Sequence, residues 1–261
     1  MDIMKWILLI GIVCCYWSCE LGERLDIKDM GEGPGYFLEC YCQPGEMFEM
    51  TATRLAPIAE PQILDYSLEF DVRVIAGDTI KLNHSLFARP GSKFLYNYAS
   101  SRRLYRDAAD TVYLKAVAPD GKRLTAKTAI PQPVEIDSVL WKDNNLVTLF
   151  TTSEDAGQNF FLLTVMWSAE QKSHRRMHFR GNQKGRKQME CRTEINHLER
   201  IDSVVVELKR MTEEGYKYQY SLHEAQVAGE ESLFTPVQLT GNISGAMGIF
   251  TCYTTVRKRV K

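Results

Sequence analysis

Leu68-Glu-Phe-Asp-Val-Arg-Val74 alternates without a fault: Leu68, Phe70, Val72 and Val74 fall on one side of an extended chain, and Glu69, Asp71 and Arg73 on the other. A period of two is what a strand with one buried and one wet face requires, and it argues against an amphipathic helix over the same residues. Related patterns return at Ile80–Phe87, Tyr113–Ala118, Val134–Leu140 and Ile201–Leu208. Leu146–Thr152 and Asn159–Trp167 read as further strands, and Tyr36–Cys42 with Met47–Thr53 reads as a hairpin across the turn Gln43-Pro-Gly45. Pro119-Asp-Gly-Lys122 is a second such turn, after which Lys122–Ala129 returns across Tyr113–Ala118. Proline presets one turn dihedral and glycine supplies the positive φ of another, so these are turns with a mechanism. Short strands at this spacing point to a β-sandwich.

Ile130-Pro-Gln-Pro133 reads as a boundary, because two prolines hold the backbone extended and remove two amide donors. The fold expected is therefore mainly β: two β-sandwich-like domains, residues 36–130 and 131–261, with one helix near 212–228 packed in the second. Thr212 is placed to cap that helix, Glu213 and Glu214 favour the positive end of its dipole, and Gly229 can end it. Tyr216, Tyr220, His223 and Val227 share one of its faces, which we expect to pack on a sheet.

The N-terminal segment addresses location. Lys5 precedes an apolar run, Trp6–Trp17, that closes in Ser18-Cys19. A cationic start, a short apolar core and a small residue before the break are the marks of a secretory signal. The run is well short of the roughly 20 apolar residues that span a bilayer. A cysteine just after the small residue is the bacterial lipoprotein arrangement, so we expect residues 1–18 to be removed and Cys19 to be acylated. The polar stretch 19–35 ends in Gly-Glu-Gly-Pro-Gly and reads as a tether between lipid and fold. Cys15-Tyr16-Trp17-Ser18 lacks the leucine that a strict lipobox carries three residues before the cysteine.

A formal net charge of −1 argues against bulk nucleic-acid binding. Beyond the signal region the cysteines are Cys40, Cys42, Cys191 and Cys252, and their spacing does not choose a pairing. Cys40 and Cys42 point to one face of a strand, where they are poorly placed to bond to each other. No G-x-S-x-G, H-E-x-x-H, Walker loop or tight carboxylate cluster occurs. No catalytic residue, cofactor or metal site is expected; His174 and His178 lie among cations that oppose a metal ion. Lys172–Lys187 is rich in Lys and Arg and free of acids, and reads as a solvated loop or a contact for anionic partners. Phe94, Tyr96, Tyr98 and Tyr105 are expected to pack inside the first sandwich rather than to form a binding surface.

The chain's end is its most specific motif. Asn242–Phe250 reads N-I-x-G-x-x-G-x-F, and Gly241, Gly245 and Gly248 permit turns or close backbone approach. This tail resembles the closing signature, N-I-x-G-G-x-G-x-F, of a large family of Bacteroidota lipoproteins of unknown function, with Ala246 where a second glycine is usual. Other parts resemble that family in the same order: the lipoprotein cysteine, the turn Pro119-Asp-Gly121, and the junction Ile130-Pro-Gln-Pro-Val-Glu-Ile-Asp137. The acidic lead Glu154-Asp155 into Phe160-Phe161 and the helix around Tyr218–Leu222 complete the series. The resemblance implies an outer-membrane lipoprotein facing the cell exterior, held to the membrane through Cys19 and encoded beside a TonB-dependent transporter. The function expected is a non-catalytic binding or accessory component of such a transport system. The alternative is a structural or assembly component of the outer-membrane surface, with a hydrolase ranked behind both. The resemblance leaves the ligand and the oligomeric state open.

Overall fold

The computed structural model describes residues 35–55, 65–88, 95–181, 183–195, 200–230 and 239–261. Cys19, the tether before residue 35, and Phe94 lie outside them. The first block holds β1 (Tyr36–Cys42), β2 (Met47–Arg54), β3 (Asp71–Ala76), β4 (Asp78–Ala88), β5 (Leu95–Arg103), β6 (Thr111–Val117) and β7 (Arg123–Ala129). Beyond the proline-rich junction come β8 (Ser138–Lys142), β9 (Asn145–Thr151), β10 (Phe160–Ala169), β11 (Lys172–Arg180), β12 (Gln188–Glu194) and β13 (Ile201–Met211). Helix α1 (Glu213–Glu230) and the last strand, β14 (Met247–Arg259), follow. Among the described residues the protein is mainly β, with one α-helix near the C-terminus.

One sheet of eleven strands runs β11-β10-β13-β14-β1-β2-β5-β4-β3-β6-β7, and a second of three runs β12-β9-β8. Strand β14 joins the two halves. Its first part pairs in parallel with β1, from Phe37↔Met247 to Cys42↔Cys252. Its second part pairs antiparallel with β13, from Val205↔Arg259 to Met211↔Tyr253. Strand β7 comes back against β14, where Thr128 Oγ1 accepts a hydrogen bond from the Cys252 amide at 3.1 Å.

Two cores result. The first gathers Leu38, Phe48, Met50, Val72, Val74, Leu114 and Leu124 with Phe250 and Cys252 of β14. The second lies between the three-stranded sheet and β10–β13, and gathers Phe150, Phe161, Leu163, Val204, Val206 and Leu208, with Val256 and Val260 packed against it. Each fully buried side chain of this size contributes roughly 1.5–3 kcal/mol. Because β14 feeds both cores, its loss would open both.

Two local expectations are corrected. Val134–Leu140 is not a strand throughout: β8 runs only from Ser138, with the Asp137 amide already donating to the Leu149 carbonyl at 2.9 Å, while the carbonyls of Gln132 and Pro133 before it are taken by side chains from β14 and β13. Lys172–Arg180 is not a loop but β11, the outer strand of the large sheet, paired along its length with β10. The turn that allows this is Glu170-Gln171, both in the left-handed region at φ 50° and 63°. That conformation suits a two-residue hairpin, but it is normally signalled by Asn or Gly.

Helix α1 is anchored at its start. The Gly215 amide donates to Thr212 Oγ1 at 3.1 Å, and Thr212 shares a hydroxyl–hydroxyl bond of 2.9 Å with Thr251 of β14. Gly215 is needed for this approach, since a Cβ there would sit 2.4 Å from Thr251 Oγ1. Tyr216, Tyr220 and His223 gather round Phe179 of β11, packed on the sheet as expected, whereas Val227 is exposed.

Candidate functional site

The junction that follows β7 is held by side chains from three directions. The Arg106 guanidinium donates to the Pro131 carbonyl at 3.3 Å. Thr254 Oγ1 donates to the Gln132 carbonyl at 2.7 Å. Arg210 Nη1 donates to the Pro133 carbonyl at 2.6 Å and to the Gln132 carbonyl at 3.5 Å. The prolines keep this segment extended and remove two amide donors, and the Gln132 amide donates to Gln158 Oε1 at 2.9 Å, so the carbonyls turn to side chains instead of a neighbouring strand.

Arg210 is the unusual member. It continues the inward stripe of β13, Val204-Val206-Leu208, so a guanidinium sits where the pattern calls for an apolar residue. It is 5 % exposed. The charge lies over the Phe161 ring, 5.1 Å from its centroid, a contact that offsets part of the desolvation cost. Nε has no hydrogen-bond partner, and among the described residues no carboxylate pairs with the guanidinium. Burial lowers its pKa, and the nearby charge of Arg106 adds to that effect. A buried cation without a counter-charge is costly, since the low-dielectric interior strips its hydration without repaying it.

Beside Arg210 opens a polar cleft of about 390 Å³, bounded by Gln132, Pro133 and the loop that follows β9. Asn159, wholly buried, stiffens that loop: its Oδ1 accepts from the Ser153 amide at 2.7 Å, and its Nδ2 donates to the carbonyls of Ser153 at 2.8 Å and Gln183 at 2.9 Å. Thr152 ties the opposite wall, donating to the Gly185 carbonyl at 2.8 Å and accepting from the Lys187 amide at 2.8 Å, which sets Arg186 at the mouth. Asp137 is occupied as well, accepting from Thr151 Oγ1 at 2.8 Å and Gln188 Nε2 at 3.3 Å. Glu135 and Glu154 line the rim, exposed and without an ion pair among the described residues. The adjacent carboxylates Glu154 and Asp155 part company: Glu154 faces the cleft, while Asp155 accepts from the Gly157 amide at 2.9 Å and caps the short turn Ala156–Gln158.

The other residues singled out by sequence lie elsewhere. Cys40, Cys42, Cys191 and Cys252 are free, buried thiols. Cys40 and Cys42 share a face, their sulfurs 3.7 Å apart, and Cys42 stands in register with Cys252, while Cys191 lies in the second core. His174 stacks on Trp167, and His178 shares a 2.8 Å hydrogen bond with Thr193. As alternate residues of a strand four apart, the two imidazoles stand roughly 13 Å from each other along β11. No group of three or more His, Cys, Asp or Glu among the described residues could hold a metal ion. Tyr98 is buried, Tyr96 stacks on Phe87, and Tyr105 is exposed, so the aromatics of the first block form no common surface. No helix among the described residues is long and apolar enough to cross a membrane.

Arg210 lies two residues beyond the alternating stretch Ile201–Leu208, and its signal in the sequence is a charge on the inward parity.

Residues 25–259 match DUF4249, a domain of unknown function. The chain belongs to the DUF4249 family. The match covers both cores, the cleft and the glycine-rich tail. No curated protein matches this DUF4249 chain. The crystal structure of a DUF4785 family protein from Legionella pneumophila is similar over 66% of this chain and 51% of that one, at 15% sequence identity and a TM-score of 0.28. This DUF4249 chain thus spans about half the length of that protein, and at such a score the likeness carries no argument.

Proposed function

We propose that this DUF4249 chain is a lipid-anchored, non-catalytic binding protein of the outer membrane, facing the cell exterior and serving a TonB-dependent transporter. The observation that carries the binding role is Arg210: a buried guanidinium, with no carboxylate partner among the described residues, that lines a polar cleft. A site that leaves a cation unmatched within its own chain is built for a ligand that supplies the match. Anchoring is supported by Lys5, the apolar run Trp6–Trp17 and Ser18-Cys19. The transporter partnership rests on the resemblance of the tail and junction to Bacteroidota lipoproteins encoded beside such transporters. One acyl chain binds a membrane only marginally, whereas two or three hold it almost permanently.

The test is fractionation and affinity capture of the full chain from its own cells. The wild type is expected in the outer membrane, sensitive to protease added to intact cells, and to bring down a TonB-dependent transporter. Cys19→Ala is expected to appear in a soluble fraction. Membrane attachment unchanged in Cys19→Ala, or capture of no transporter, would overturn the corresponding part of the proposal.

A further inference from the structure

We propose that the Arg210 cleft takes a zwitterion, an amino acid or short peptide that presents its carboxylate to Arg210 and its protonated amine to Glu135 and Glu154. This rests on the binding role given above and names the chemistry of the ligand. Three features of the cleft select that chemistry.

The first is the unmatched charge of the guanidinium. Nη1 is committed to the Pro133 and Gln132 carbonyls, while Nε is unpaired. Nε is sealed from solvent, so a ligand meets the guanidinium only where Arg210 lines the cleft, and a carboxylate there makes a charge-assisted hydrogen bond, one of the strong kind. A neutral ligand would leave the buried charge unmatched.

The second is the sign of the rim. Glu135, Asp137 and Glu154 oppose Arg186 and Arg210, so the lining carries more negative than positive charge. A polyanion such as a phosphorylated glycan gains at Arg210 and is repelled at the rim. Asp137 is already held by Thr151 and Gln188, which leaves Glu135 and Glu154 to receive an ammonium group.

The third is what the walls lack. No aromatic side chain lines the cleft, so a sugar ring finds no face to stack on. Its volume of about 390 Å³ lies at the small end of ligand sites, the size of a few residues rather than a folded partner.

The experiment is isothermal titration of the full chain, purified in detergent, with a randomised tripeptide library. The library is supplied in three forms: free, N-acetylated and C-amidated. The free library is expected to bind, with both capped libraries weakened at least tenfold. The double variant Glu135→Gln/Glu154→Gln changes exposed residues, so its melting midpoint should match the wild type; its dissociation constant for the free library is expected to rise about tenfold or more. Arg210→Gln should abolish binding. Absence of heat at millimolar free library would overturn the inference, as would equal binding of capped and free forms. Binding of the capped forms alone would overturn the zwitterion while leaving the binding role intact. Loss of membrane anchoring or of transporter capture would strike the functional proposal and leave this result unaffected.

Discussion

Asn242 and Phe250 are locked together by a reciprocal pair of hydrogen bonds. Asn242 Oδ1 accepts from the Phe250 amide at 2.9 Å, and its Nδ2 donates to the Phe250 carbonyl at 2.8 Å. A side-chain amide thus takes the place of a neighbouring strand just where β14 enters the first core. Asn242→Ala is expected to cost about 2 kcal/mol, since it leaves a backbone donor and acceptor near the core without partners. Asn242→Asp, which keeps only the acceptor, should fall between the two. Urea denaturation measures both.

Gly248 carries a stricter demand in the same tail. Its φ is 109°, and a Cβ there would lie 1.8 Å from the Leu38 carbonyl oxygen, inside the parallel ladder between β1 and β14. Gly248→Ala is expected to lose at least about 3 kcal/mol or to fail to fold, because β1 cannot retreat without opening the first core. Ala246→Gly should cost less than about 1 kcal/mol. Thermal melting of the two variants gives the contrast.

His178 and Glu207 each make stability fall with acid. Burial lowers the His178 pKa, helped by the charges of Arg180 and Arg176. Burial would raise that of Glu207, but Lys209, 3.1 Å away, and Arg257 hold it below the usual carboxylate value. Both groups bind protons more readily in the unfolded chain, so the stability they contribute is lost as pH falls. For His178 the loss begins below the ordinary imidazole value, and for Glu207 below the ordinary carboxylate value. His178→Asn is expected to flatten the first of these declines. Denaturation midpoints measured from pH 7 downwards report it.

Glu39 works in the opposite sense. It lies beneath α1, accepting from Tyr41 at 2.8 Å, and Gln219 of the helix donates to the same Tyr41 hydroxyl at 2.7 Å. Burial raises its pKa, and the bond from Tyr41 and the nearby Tyr218 hydroxyl oppose the rise without cancelling it. The folded state therefore prefers the protonated carboxyl. That contribution is complete below the unfolded pKa and is lost as pH rises through the folded one. Glu39→Gln is expected to raise stability at pH 8 and to change it little at pH 4, read as the difference between two melting curves.

Much of the architecture was legible because local rules and tertiary structure agree. Phe70, Val72 and Val74 fall in the first core on the parity that alternation gives them, and Thr212 caps the helix as its chemistry predicts. What stayed hidden was set by distance or by contrary local signals. The parallel pairing of Cys42 with Cys252 joins strands at opposite ends of the chain, and no period announces it. Strand β11 was hidden by a Glu-Gln turn with two positive φ angles. The cleft was hidden because its walls come from three separated segments, around residues 132–137, 151–154 and 186, and meet only where Arg210 reaches the junction.

Native mass spectrometry of the full chain, purified from its own outer membrane, tests most directly whether the Arg210 cleft is a binding site. The wild type is expected to retain a bound small molecule that folded Arg210→Gln does not. A wild type with no bound mass, or a folded variant carrying the same mass, would contradict it.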